Sequence, residues 1–311
     1  MTDVRGLPIG PAGSVITVGT FDGMHRGHQD VLRRVASRAE ESGRTSVVVT
    51  FDPHPLQVLR PEHAPRLLTT FQEKLEVMAA TGVSYVAVLP FTPTLAALDA
   101  AAFVDEVLRA RYGLAELLVG HDHGFGRGRL GDVNALRSLG AARGFTVSEL
   151  APVMAGDGSA VSSSVIRRAI ADGELGRAAA GLGRPYAISG RVKAGEGRGR
   201  ALGYRTLNLD GPPDEKLLPP DGVYAVRVHT REGAFGGMMN LGPRPTFGDG
   251  HRQVEAHVFD AVRDWYGTLV RIDLVGWLRH TQTFVDAEAL VQQLGQDEAA
   301  ARRLLQAVVP D

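Results

Sequence analysis

The spacing of apolar residues along the sequence changes near residue 183. This change indicates that the chain forms two domains of different fold class. Up to about residue 180, short apolar runs such as Val15 to Val18 alternate with stretches of helical spacing such as Val31 to Ala39. Repeated strand, helix and strand units favour a parallel, doubly wound sheet. A last helix is predicted from about 163 to 171, after which glycines between 173 and 183 break the pattern. We therefore predict an α/β domain over residues 1–183.

Residues 184–311 predict a second domain that is built from strands. From Tyr186 onward apolar residues recur at every second position, so that they share one face of each strand. Glycine and proline clusters separate these strands, which favours an antiparallel sheet or a small β-barrel. The stretch from Asp286 to about Val308 returns to helical spacing. We expect this C-terminal helix to pack against the barrel.

Composition excludes several classes of function. Lys and Arg total 34 against 35 Asp and Glu, so the formal charge of -1 gives no electrostatic basis for a nucleic-acid partner. The absence of cysteine excludes disulfides, thiolate nucleophiles and cysteine-ligated zinc, and agrees with a reducing compartment. The first twenty residues carry no basic segment followed by an apolar core, and no apolar run approaches about 20 residues, so we expect neither a leader peptide nor a membrane helix. We expect a cytoplasmic monomer or weak homo-oligomer without a membrane partner.

The segment Gly19 to His28, GTFDGMHRGH, follows the first predicted strand and leads into a helix. A loop in this position presents free backbone N–H groups and the positive end of the helix dipole, which suit a phosphate. Gly27 would allow close approach of a ligand, and His25 and His28 would stabilise charge on a pentacoordinate phosphorus. The alternative for the isolated motif is a turn with two incidental histidines.

A second motif, SSSVIR over residues 162–167, starts the last helix of the first half. Its serines can cap the helix, and Arg167 offers a planar set of donors for phosphate oxygens. By itself, such a segment is more often only a helix cap. The histidine loop and this segment together resemble the nucleotidyltransferase superfamily.

The second half contains a glycine-rich segment, GRVKAGEGRGRALG over residues 190–203, but the chain has no Walker sequence. Such a segment could fold over phosphates through its amides and basic residues, or it could be a solvated basic loop. It is followed by YRTLNL at 204–209, NLGPRPTF at 240–247 and VEAHVFD at 254–260. Glu255 alternates with Val254 and Ala256, so it should point away from the face on which they pack.

These motifs, with TFDPHP at 50–55 and VGHDHGFG at 119–126, resemble the bifunctional riboflavin kinase/FAD synthetase family of bacteria over nearly the whole chain. The resemblance implies a Rossmann-like domain that transfers AMP from ATP to FMN, which yields FAD and pyrophosphate. It also implies a barrel domain that phosphorylates riboflavin with ATP, and Mg²⁺ at both sites.

The same resemblance assigns site residues in both halves. His25, His28 and Arg167 would be catalytic in the first half, with Glu255 as general base in the second. Thr206 and Asn208 would hold Mg²⁺ and ATP phosphates. The remaining predicted cofactor-binding residues are Gly19, Phe21, Asp22, Gly27, Asp122, Ser163 and Ser164 in the first site and Gly195, Gly197, Arg198 and Gly199 in the glycine-rich flap.

Three positions depart from the family pattern. Arg205 and Leu207 stand where the family has proline and alanine, and His123 stands where many relatives have phenylalanine. Two other interpretations therefore stay open. In one, only the adenylyltransferase is active and the second half binds flavin or regulates. In the other, the histidine loop transfers a nucleotide to a different phosphorylated acceptor.

Overall fold

The computed structural model describes residues 7–120, 133–154, 156, 158, 160–194, 204–210, 213–243, 252–261 and 263–307. Contacts divide the chain into two compact units, Met1–Ser163 and Ser164–Asp311. The first contains a five-stranded open sheet and the second a closed barrel. The predicted combination of an α/β fold with a β-barrel is confirmed.

The sheet of the first unit is parallel throughout its described strands, in the order β3-β2-β1-β4-β5. These strands are β1 (Ser14–Val18), β2 (Thr45–Asp52), β3 (Tyr85–Pro90), β4 (Leu114–Gly120) and β5 (Thr146–Leu150). Because β1 lies between β2 and β4, the direction of winding reverses there. In open α/β sheets, the carboxyl ends of the strands at such a switch point form the usual ligand site.

Helices of the first unit cover the sheet and surround its buried strands. They are α1 (Arg26–Glu41), α2 (Pro55–Leu59), α3 (Phe71–Ala79), α4 (Pro93–Ala97), α5 (Ala100–Ala102), α6 (Ala110–Tyr112) and α7 (Val133–Arg143). A π-helical stretch, Phe103–Arg109, joins α5 to α6, and Pro61–His63 forms a 3-10 turn. All five residues of β1 are buried, as expected for a central parallel strand.

Two helices, α8 (Ser163–Ala171) and α9 (Leu175–Leu182), precede the barrel. The prediction that glycines break the helical pattern throughout 173–183 is wrong, because α9 occupies most of that stretch. Gly173 and Gly183 do end helices, with left-handed φ values of 77° and 72°. The glycines between them lie inside α9, which is held by the burial of Leu175, Ala178 and Leu182 on one face.

The barrel closes in the order β10-β7-β6-β11-β8-β9, and its paired neighbours are antiparallel. Its strands are β6 (Tyr186–Lys193), β7 (Thr206–Leu209), β8 (Gly222–Thr230), β9 (Gly233–Pro243), β10 (Arg252–Val258) and β11 (Leu269–Arg279). Val254 and Ala256 are fully buried, whereas Glu255 between them is half-buried. The predicted alternation along β10 is therefore confirmed.

Helix α10 (Ala287–Ala307) packs on the outside of the barrel, as predicted. Ala301 is buried in a cluster with Ala225, Met238 and Phe259. The helix is also fixed by a buried ion pair, in which Arg279 Nε lies 2.9 Å from Asp297 Oδ1 and Nη2 lies 2.7 Å from Oδ2.

Candidate active sites

The loop after β1 is tightly folded. Phe21 and Met24 have left-handed φ values of 50° and 41°, and both side chains are buried. The N–H of Gly19 donates to the carbonyl of Val49 on β2 at 3.0 Å. The ring of Phe21 lies over Gly19 so closely that a Cβ at position 19 would be 2.9 Å from its Cζ. Gly19 is therefore needed for the approach of ring and backbone, and its role in cofactor binding stays a prediction.

The structure brings the two motif histidines together at the N-terminus of α1. His25 is the N-cap residue, and its Nδ1 accepts the backbone N–H of His28 at 3.4 Å. The two rings stack with centroids 3.6 Å apart, and the ring of Phe21 meets His28 edge-on at 5.3 Å. A Cβ on Gly27 would lie 3.1 Å from His25 Cε1, so this glycine leaves room for the histidine ring.

His28 is a buried imidazole at the start of α1. Burial, together with the neighbouring His25, holds the pKa of His28 well below its ordinary value. Its Nδ1 is buried and has no hydrogen-bond partner within the described part of the chain. An anion at the helix N-terminus would favour the protonated imidazolium.

The carboxylate of Asp22 holds a neighbouring segment of the chain. It accepts the backbone N–H of Leu68 at 2.9 and 3.1 Å and that of Thr69 at 3.2 Å. Its backbone carbonyl accepts the hydroxyl of Ser163 at 3.0 Å. Ser163, the first residue of α8, is thus tied to residues 19–28, the loop predicted to contact phosphate, which is called the phosphate loop below. The role of Asp22 in cofactor binding stays a prediction.

Ser164 and Arg167 follow Ser163 along α8, and Arg167 lies about one turn further on. Asp122 and His123 lie outside the described residues, as do Gly195, Gly197, Arg198 and Gly199. The histidines, the loop glycines, Phe21, Asp22 and Ser163 are the predicted residues that the first unit brings together.

Lys74 is a residue that the sequence did not indicate. It is buried in the first turn of α3, and its Nζ lies 3.2 Å from the carbonyl oxygen of Phe51 and 3.4 Å from that of Thr20. Lysines are rarely buried, so its residue type gives no such expectation. The one available signal is the capping box formed by Thr70 and Glu73, which marks where α3 begins.

The second site is assembled on β7 and β10. Glu255 is paired directly with Asn208, and the hydroxyl of Thr206 donates to Glu255 Oε1 at 2.5 Å. The side-chain oxygen of Asn208 accepts the amide of Gln253. The three predicted residues therefore lie on one face of two adjacent strands, opposite the packed interior of the barrel.

These side chains form a chemically suitable set for Mg²⁺. The Thr206 hydroxyl, the Asn208 amide oxygen and the Glu255 carboxylate are hard oxygen donors. Magnesium takes one or a few protein ligands and completes its shell with water and phosphate oxygens. Within the described ranges no group of three or more His, Cys, Asp or Glu could hold a metal ion. Any metal at this site would depend on the neutral oxygens of Thr206 and Asn208.

A cleft lies beside Thr206. Its lining includes Arg205, Arg263, Asp264, Trp265 and Tyr266. The lining thus combines two guanidinium groups, one of them in an ion pair with Glu232, with a carboxylate and two aromatic rings. Arg205, which stands where the family has proline, therefore lines the cleft.

The departure at position 207 also borders this cleft. Leu207 is 6% exposed and is paired with the buried Ala256. The larger side chain is therefore accommodated in a buried position, on the opposite face of β7 from Thr206 and Asn208.

The fold and the arrangement of side chains define a nucleotide-dependent transferase with two sites. One site is the histidine loop after the first strand of the doubly wound sheet, and the other is the oxygen-rich outer face of the barrel. The FAD synthetase family model matches residues 9–165, and the riboflavin kinase family model matches residues 182–305. The chain belongs to the bifunctional riboflavin kinase/FMN adenylyltransferase family.

Curated relatives support this membership over nearly full length. The bifunctional riboflavin kinase/FMN adenylyltransferase of Pseudomonas fluorescens is 40% identical over 293 residues, which cover 94% of this chain and 93% of the relative. The protein of the same name from Escherichia coli K12 is 37% identical over 291 residues, covering 93% and 92%. The resemblance inferred from the motifs is confirmed.

One solved structure is similar over the whole chain. It is named a macrolide-efflux protein, from Streptococcus pneumoniae, and has a TM-score of 0.83 and 31% identity over 95% of this chain and 96% of that one. In the part of this chain that the structure describes, no helix is both long and apolar enough to cross a membrane.

Proposed function

We propose that this chain makes FAD in two steps. The barrel unit transfers the γ-phosphoryl group of ATP to riboflavin and yields FMN and ADP. The N-terminal half then transfers AMP from a second ATP to FMN and yields FAD and pyrophosphate. The observation that carries this proposal is that the stacked histidines His25 and His28 and the hydrogen-bonded pair Thr206 and Glu255 each lie within a matching family model.

In the adenylyl transfer, a phosphate oxygen of FMN attacks the α-phosphorus of ATP, and the bond to the departing pyrophosphate breaks. No proton must leave the attacking oxygen, so the site needs charge stabilisation rather than a base. The N-terminus of α1 and the donors of His25 and His28 supply it. Ser163, Ser164 and Arg167 on α8 provide further phosphate contacts, with Arg167 offering a bidentate fork.

In the kinase reaction, the attacking group is a primary alcohol of high pKa. Glu255 accepts its proton as the new oxygen–phosphorus bond forms and the bond to ADP breaks. The hydroxyl of Thr206 donates to Glu255 and so orients its carboxylate. Bound Mg²⁺, held with Thr206 and Asn208, would offset the charge of the phosphates.

The adenylyltransferase-only alternative is less well supported. Its basis was the altered segment at 205–207, yet Thr206, Asn208 and Glu255 are brought together in spite of it. We further propose a domain boundary near Gly183, in the region where the second family match begins. The chain would act in the cytoplasm on small molecules, as a monomer or weak homo-oligomer without nucleic acid.

A chromatographic time course with riboflavin, ATP and Mg²⁺ tests the proposal. Wild type should form FMN and then FAD. His28→Ala should accumulate FMN, and Glu255→Ala should form neither product from riboflavin but still convert added FMN into FAD. Each loss should be about 10²-fold or more, as for other groups that stabilise or deprotonate a transition state.

Two outcomes would contradict this assignment. Loss of both activities in each folded variant would show that the two centres are not separate. Equal turnover of FMN and of an unrelated phosphate ester by wild type would favour the alternative acceptor.

A further inference from the structure

Lys74 links two parts of the first site that are distant in sequence. Its ammonium donates to the carbonyl of Phe51 at 3.2 Å and to the hydroxyl of Thr50 at 3.4 Å, both at the carboxyl end of β2. It also lies 3.4 Å from the carbonyl of Thr20, two residues beyond β1. All three oxygens thus belong to the edge of the sheet where the phosphate loop begins.

Packing alone does not explain a lysine at this position. The side chain is only 8% exposed, and burial lowers its pKa while Asp52 and Asp22 oppose that effect. An apolar side chain of similar length would fill the same space without the cost of desolvating an ammonium. The donors of Lys74 therefore serve the backbone that they contact.

The segment 68–74 contacts the phosphate loop at three nearby positions. Thr69 contributes its N–H to the Asp22 carboxylate and accepts the Gly23 N–H on its hydroxyl at 3.1 Å. Lys74 adds the contact to Thr20. Because C=O and N–H point in opposite directions in a planar trans peptide, holding the Thr20 carbonyl also fixes the direction of the Phe21 N–H.

We propose that Lys74 is a positioning residue for adenylyl transfer. Its ammonium ties the start of the phosphate loop to the end of β2 and thereby sets the placement of Phe21, His25 and His28 against the nucleotide. This inference rests on the proposed function of the first site. It assigns Lys74 no contact with the substrate, so its effect should be on alignment of the reacting groups.

Lys74→Met keeps the length of the side chain and removes its charge and donors. We expect kcat for conversion of FMN into FAD to fall by about 10- to 100-fold, the range associated with misalignment of roughly 1 Å. The KM for ATP should change by less than about threefold, because loss of alignment lowers kcat rather than uniform binding. Riboflavin phosphorylation by the same molecule should keep its wild-type rate.

Lys216→Met is the matched control. Lys216 is also buried, at 4% exposure, but belongs to the second unit, where its Nζ lies 4.5 Å from the centre of the Tyr186 ring. This variant should convert FMN at the wild-type rate. Lys74→Gln removes the charge and shortens the side chain by one atom, so its amide cannot hold all three oxygens that Nζ contacts. It serves as the second variant should Lys74→Met fold poorly, and should show the same selective loss.

The assays are run well below the melting temperature of each variant, so that they compare folded molecules. Wild-type kcat in folded Lys74→Met would overturn the proposal, since a purely stabilising lysine changes only the melting curve. Equal loss of kinase and adenylyltransferase activity in Lys74→Gln would also overturn it. Absence of FAD formation in wild type would instead refute the proposed function.

Discussion

Removal of the Asp297 carboxylate should destabilise the kinase half. Arg279 and Asp297 are 16% and 4% exposed at their side chains and are joined by a bidentate contact. Asp297→Ala leaves the guanidinium buried without its partner, which costs about 3–5 kcal/mol. For a unit of this size, the melting temperature should fall by about 6–20 °C. The pair holds α10 to β11, so riboflavin phosphorylation should be lost on heating at correspondingly lower temperature.

The assay is residual kinase activity after heating, measured beside a calorimetric melting curve. Glu298→Ala is the control on the same helix, because its ion pair with Arg302 is partly exposed and should contribute less than about 1 kcal/mol. The double variant Asp297→Ala/Arg279→Met should recover much of the loss, since it leaves no unpaired charge. A melting temperature of Asp297→Ala within about 2 °C of wild type would refute the reasoning.

Two further predictions concern the phosphate loop. Gly19→Ala should displace the ring of Phe21 and, through misalignment, lower the rate of FMN adenylylation by about tenfold or more. Gly176→Ala is the control and should leave this rate unchanged, because a Cβ at position 176 meets nothing within 4 Å. Steady-state rates with FMN and ATP check both variants. The lowered pKa of His28 means that the unfolded chain takes up a proton more readily than the folded one, so stability should fall as pH drops below about 6.5. Melting curves between pH 8 and pH 5, roughly spanning that range, should show a smaller decrease for His28→Gln than for wild type; an equal decrease would contradict it.

Local sequence patterns predicted the fold because apolar residues that are buried on one face of a strand or helix recur at a regular spacing. The alternation around Glu255 and the apolar run of β1 were enough to separate the barrel from the parallel sheet. The sequence pattern does not reveal helix α9, because a glycine residue by itself does not distinguish the interior of a helix from its end. Of the glycines at 173, 176, 181 and 183, only Gly173 and Gly183 have the left-handed backbone that ends a helix.

The sites were harder to predict than the fold. Thr206 and Glu255 are 49 residues apart, and only the family resemblance connected them before the register of β7 and β10 was known. Lys74 and Thr20 are 54 residues apart, and no motif marks their contact. Pairings at such separation depend on the arrangement of strands, which the chain's local pattern does not specify.

The short strand β7 couples the chemistry of the kinase to the integrity of its hydrophobic core. Thr206 and Asn208 lie on the opposite face of β7 from the buried Leu207 and Leu209, because side chains on a strand alternate, and Asn208 is itself only 4% exposed. A shift of one residue against β10 would move the two polar groups to the face on which the leucines now pack and the two leucines to the other face. A change of register that misaligns the donors would therefore also destabilise the folded barrel. Any insertion or deletion within residues 206–209 should abolish both the stable barrel and its kinase activity.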